Sequence, residues 1–196
     1  MAGGFTIIEY ETVKQGFPEF QKVETECRQA LLQSAVADWS PQTFGGIKPT
    51  GPQFGETTIM PELFRDNANA TLTTWKQNFT TLGHQIIMSG ANTGFIREDY
   101  KVGLCGLAFL DKAIKVSEIK MQISDKKLPR INIDECRVYN KPAIVFEDYW
   151  LLDEETAFDL YAFVVAQGQQ RIKLLGPQLN KVPNKLMTTN TGAALT

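Results

Sequence analysis

The stretch FDLYAFVVA at residues 158–166 is apolar on both of its sides when it is read in steps of two. Phe158, Leu160, Ala162, Val164 and Ala166 fall on one side, and Tyr161, Phe163 and Val165 on the other. Side chains of a strand alternate between its faces, so neither face is left to water. Each must be covered, one by an opposing sheet and the other by a helix or by another molecule. The polar turn QGQQ and the run RIKLLG follow, which predicts a hairpin over residues 158–176.

The segments ahead of this hairpin carry the same signature. TLTTWKQNFTT, HQIIMSG, YKVGLCGLAFL, IKVSEIKMQIS, RINIDECRVY and PAIVFEDYWLL are rich in Thr, Ile, Val and aromatics and are separated by Gly, Pro, Asn or Asp. In AIKVSEIKMQIS, Ile114 and Val116 share one side, and after a break in phase Ile119, Met121 and Ile123 share it again, which predicts a bulge. About eight strands with short connections and no alternation with helices predict an antiparallel β-sandwich or barrel over residues 71–180.

One segment departs from this pattern. In PEFQKVETECRQALLQSAVADW the apolar positions Phe20, Val23, Cys27, Leu31 and Ala35 recur at steps of three and four. That spacing predicts an amphipathic helix over residues 18–39, roughly 30 Å long. Its polar face mixes Glu19, Glu24, Glu26 and Asp38 with Lys22 and Arg28, which suits packing on protein better than lying on an anionic membrane. Residues 1–17, including the β-prone FTIIEY, are expected to form an N-terminal arm. Residues 40–70 read as a Gly/Pro-rich loop and residues 181–196 as a Thr-rich C-terminal arm.

The chain's 196 residues suffice for one domain with a sizeable core, and a net charge of −2 argues against a general nucleic-acid binder. Cys27, Cys105 and Cys136 have neither the pairing nor the spacing of a zinc site or a disulfide framework, and are expected as buried thiols. The start MAGGFTIIEYETVK lacks the features of a secretory signal, and no apolar run reaches the roughly 18 residues of a membrane span, so a cytoplasmic origin is expected. NAT at Asn69 and NFT at Asn78 match the glycosylation pattern without a secretory context to give it effect.

No catalytic constellation is legible. His84 is the single histidine, and no phosphate loop, nucleophile elbow or zinc-protease motif is present. Asp99 followed by Glu118 and Lys120 matches the order of metal-dependent nucleases, but charged outer positions of any amphipathic strand generate Glu-x-Lys. Charge is segregated instead. Glu147, Asp148, Asp153, Glu154, Glu155 and Asp159 lie in one acidic stretch, whereas no acid follows Leu160 and Arg171, Lys173, Lys181 and Lys185 carry positive charge. Opposite patches of this kind can set the registry between identical copies, or can pair within one chain.

With its succession of strands, its acidic loop, the two-faced strand AFDLYAFVVA, the turn QGQQ and the closing run RIKLLG, the segment 71–180 resembles the single jelly-roll coat proteins of icosahedral viruses. The helix at 18–38 stands outside that family's pattern. The resemblance implies two four-stranded sheets packed face to face, terminal arms reaching neighbouring subunits, and assembly rather than catalysis. The expectation is therefore a structural virion protein made in the host cytoplasm, or a cytoplasmic one if not viral. It would partner copies of itself and other virion proteins, with no cofactor. Candidate interface residues are Glu154, Glu155, Asp159, Tyr161, Phe163, Arg171, Lys173, Lys181 and Lys185. A β-sandwich module that binds a carbohydrate or protein through its loops is the alternative, and a metal-dependent nuclease-like enzyme is the second.

Overall fold

The computed structural model describes residues 4–39, 54–60, 74–88 and 96–181. In chain order its elements are β1 (Phe5–Glu9), α1 (Tyr10–Gly16), α2 (Pro18–Asp38), β2 (Phe54–Thr58), β3 (Trp75–Phe79), β4 (Gly83–Met88), β5 (Tyr100–Phe109), β6 (Val116–Ile123), β7 (Lys126–Lys127), β8 (Ile131–Asn132), β9 (Pro142–Leu152), β10 (Phe158–Val164), β11 (Gly168–Leu175) and β12 (Pro177–Lys181). The protein is mainly β, and its strands form two antiparallel sheets.

The seven-stranded sheet runs β1-β9-β5-β11-β3, with β12 joined to β5 and β2 joined to β12. The five-stranded sheet runs β4-β10-β6-β7, with β8 beside β6. Pairings nest: β3 with β11, β4 with β10, β5 with β9, and β6 with the short β7 and β8. Gly176, at φ +139°, separates β11 from β12. A Cβ there would lie 2.0 Å from the Gly103 carbonyl oxygen, so only glycine lets this bend approach β5.

Both sheets feed one core. Trp75, Leu104, Leu107, Phe109, Ile144, Phe146, Ile172 and Leu174 from the larger sheet meet Met88, Val116, Ile119, Met121, Phe158, Leu160 and Val164 from the smaller. The phase break expected in β6 exists, because its ladder with β10 shifts between Phe163 and Val164. A second shift between Leu104 and Gly106 re-phases β5, so that Val102, Leu104, Leu107 and Phe109 all reach this core.

Pro18 opens α2, where its missing N–H costs nothing. The helix buries Phe20, Val23, Cys27, Leu31 and Ala35, the positions read from the sequence. It packs on β9, β5 and β12, and so covers the outer face of the seven-stranded sheet. Cys27 sits over Gly103, where a Cβ would lie 2.3 Å from the Cys27 sulfur, so glycine is what lets helix and strand come this close.

Several segments differ from the sequence-based expectation. Residues 5–9 are an integral edge strand rather than part of an arm, because Ile7 packs against the core and the segment pairs with β9, and α1 follows it directly. Within the expected loop at 40–70, residues 54–58 form β2 on β12, and Lys181 ends β12 rather than beginning an arm. RINIDECRVY gives only the two residues of β8 before a 3-10 turn over Asp134–Val138, where Asn132 Oδ1 accepts from the Asp134 N–H at 2.9 Å.

Candidate functional site

The two outer faces of the sheets are treated differently. Beneath α2, the face of the larger sheet is sealed at one end by Lys101, whose residue is only 1% exposed. Its ammonium donates to Ser34 Oγ at 3.0 Å and to Asp153 Oδ1 at 2.7 Å, and it also pairs with the Asp38 carboxylate. The Trp39 ring lies 5.7 Å from the same ammonium, and the Trp39 Nε1 donates to Glu154. These contacts tie the end of α2 to β5 and to the β9–β10 turn. The Lys101 hydrogen bond and charge hold the Asp38 carboxyl below its ordinary value. Burial disfavours the Lys101 charge, but its bonds to Asp153 and Asp38 outweigh this and raise its pKa.

Outside the smaller sheet, β10 places Tyr161 and Phe163 on the side away from the core, both half-buried, while Phe158, Leu160, Ala162 and Val164 face inward. Two cross-strand rows result. Ile86, Tyr161 and Lys120 form one, and His84, Phe163 and Glu118 form the other. The His84 and Phe163 rings meet edge-on with centroids 5.0 Å apart, and the Lys120 ammonium lies 5.3 Å from the centre of the Tyr161 ring. Arg130 reaches Glu118 at 3.5 Å. His84, Glu118, Lys120, Arg130, Tyr161 and Phe163 line an open cavity of about 270 Å³. Burial and the neighbouring Asp159 raise the Tyr161 hydroxyl above its ordinary value.

The covering of β10 thus has a definite answer. Its inner face has the opposing sheet, and α2 lies on the other sheet, so among the described residues no helix covers Tyr161 and Phe163. The charged candidates have partners within the chain. Arg171 grips Asp111 through two nitrogens at 2.7 and 2.9 Å, Lys173 donates to Tyr10 Oη at 3.0 Å, and Lys181 approaches Asp99 at 3.4 Å. Glu154 is held by Trp39, whereas Glu155 lies in the β9–β10 turn at φ +59° and Asp159 in β10 beside Tyr161. The acidic and basic stretches therefore do not meet each other in these contacts, and Lys185 lies outside the described residues.

Asp99 precedes β5 in the larger sheet, while Glu118 and Lys120 project from β6 in the smaller, so the nuclease-like order is not assembled into one cluster. Among the described residues no group of three or more His, Cys, Asp or Glu side chains could hold a metal ion, and no helix is long and apolar enough to cross a membrane. The Lys101 clamp was missed from sequence, although a lysine inside the otherwise apolar YKVGLCGLAFL is a signal, since a buried lysine requires carboxylate partners.

Comparison with family models, with curated proteins and with solved structures gave no match to this chain.

Proposed function

We propose that this protein is a structural subunit that assembles with copies of itself into a shell, built on a single jelly roll and acting without catalysis. The observation that carries the reading is the unequal treatment of the two sheets. Among the described residues α2 covers one outer face, and the other presents half-buried Tyr161 and Phe163 beside exposed Ile86 with no helix over them. Aromatic rings and an exposed isoleucine set among Lys120, Glu118 and Arg130 have the mixed apolar and polar make-up of an interaction surface. The nested pairing supports the jelly-roll part. From β3 to β11 the first strand pairs with the last, the second with the last but one, and so inward to β6 with β7 and β8, as in a long hairpin rolled into two sheets. In this reading β1, β2 and β12 extend the larger sheet beyond the eight-strand frame. The place such a subunit works is a virion assembled in the host cytoplasm. Electron microscopy of the concentrated protein tests the proposal: regular closed particles or ordered arrays are expected, and their absence at every salt and concentration contradicts it.

The 270 Å³ cavity favours a second reading, a β-sandwich module that binds a ligand on the same face. Phe163 and Tyr161 offer ring surfaces, and Lys120, Arg130 and Glu118 offer hydrogen bonds, the combination that sugar recognition uses. Glycan-array binding that is lost in Phe163→Ala, by a protein that stays monomeric, would favour this reading over assembly.

A further inference from the structure

We infer that the free edge of β4 is the contact through which one copy of this chain pairs with another, antiparallel and about a two-fold axis, an inference that rests on the assembly reading. Among the described residues β4 is the end strand of its sheet and pairs with β10 alone. Edge strands invite pairing with further strands, and charges along them discourage it. The other edges carry such charges: Glu9 in β1, Glu56 in β2, Lys76 in β3, and both lysines of β7. Among the described edge strands longer than two residues, β4 alone has no formal charge.

This edge is also where exposed apolar surface gathers. Leu82, just before β4, is 61% exposed and Ile86 55%, two of the six exposed large hydrophobic residues among those described. Leu82 and Ile86 flank His84, and His84 and Ile86 stand on the outer face of the sheet.

The occupant follows from charge and from symmetry. A strand that pairs with its own copy sets each of its residues near an identical set, so any charge close to the axis would meet like charge. The uncharged β4 avoids that penalty, whereas a basic or acidic partner would find nothing to pair with. The spacing is self-complementary as well. With the axis at His84, Ile86 of each copy meets Leu82 of the other, and the two five-stranded sheets become continuous. The Tyr161 and Phe163 strips of the two copies then lie on one joint surface.

The test is sedimentation velocity on the full chain and on Ile86→Lys and Leu82→Lys, with Val36→Lys, an exposed position on α2, as the control. Circular dichroism and melting confirm that each variant is folded. The Ile86 and Leu82 variants should weaken association by about tenfold or more, because each sets a lysine against the apolar residue it meets on the other copy, and the control should not. In addition His84→Cys should give a disulfide-linked dimer under mild oxidation with diamide, since that position faces its own copy. If the parent protein associates but the lysine variants associate equally well, or if His84→Cys stays monomeric, the β4 contact is overturned and the assembly reading survives. A parent protein that is monomeric at every concentration and salt overturns both.

Discussion

The Phe163 ring meets the His84 imidazole edge-on, with centroids 5.0 Å apart and ring planes at 82°. It joins β10 to the edge strand β4 on the outer face of the smaller sheet, beside the Tyr161–Ile86 pair. Phe158, five residues earlier, points the other way and is fully buried in the core. The two phenylalanines should therefore respond differently to truncation. Phe158→Ala is expected to cost about 3–5 kcal/mol through lost burial and a cavity, whereas Phe163→Ala should cost about 1 kcal/mol in the isolated subunit. Urea denaturation of both variants measures this. Equal losses would mean that Phe163 is a core residue and that its face needs no partner.

The close seat of α2 makes Gly103 a sharp test of the helix placement. Alanine there puts a Cβ 2.3 Å from the Cys27 sulfur, so the helix must move or the strand must bend. Gly103→Ala should cost about 2–3 kcal/mol by overpacking, and adding Cys27→Ala should return at least about 1 kcal/mol of it. A double-mutant cycle measured by thermal or chemical denaturation reads the coupling. Simple additivity would place the helix elsewhere.

The Lys101 clamp predicts an asymmetry between its two sides. Lys101→Met removes a buried charge and leaves two half-exposed aspartates to water, so stability should change by no more than about 1 kcal/mol. Asp38→Ala with Asp153→Ala leaves the buried ammonium, among the described residues, with Ser34 Oγ and the Trp39 ring, so in urea denaturation this pair should cost more stability than Lys101→Met.

The clamp also sets a pH window. The folded Asp38 pKa lies below its ordinary value of 3.8, so its contribution is present above that value and is lost as acid protonates the folded carboxylate. The Lys101 pKa is raised above 10.5, so its contribution holds below that value and is lost in strong alkali as the folded ammonium deprotonates. Trp39 fluorescence against pH should be flat through neutrality and change at the two extremes. A transition near neutral pH would contradict the assignment.

The thiols should be inert in the folded protein. All three cysteines are free and fully buried, burial pushes Cys136 up to about 12, and the hydrogen bond with Cys27 together with burial raises Cys105. Since the thiolate is the reactive form, an aromatic disulfide reagent at pH 8 should label none of them in the native state and all three in denaturant. Fast labelling of Cys27 or Cys105 in the native protein would mean that α2 leaves the sheet readily.

The elements with strong periodicity were legible in the sequence. The buried face of α2, the bulge in β6 and the two-faced strand β10 all follow from side-chain spacing, because burial on a helix or strand imposes that spacing directly. What was not legible depends on long-range pairing. FTIIE, β-prone in sequence, is placed in the sheet by the edge of β9, FGETT becomes a strand only because β12 offers it an edge, and INIDECRV turns at Asn132 where local side-chain bonding overrides its β-prone composition. The opposite charges in the chain's last third were visible, but their partners were not. Asp111 for Arg171 and Tyr10 for Lys173 come from segments about 60 and 163 residues away in sequence.

The central claim, that this chain is built to assemble with itself, is tested most directly by its molar mass in solution. Light scattering coupled to size exclusion, run across concentration and ionic strength, should show discrete species of several times 21.9 kDa that grow with concentration. A single 21.9 kDa species under all conditions would contradict the account.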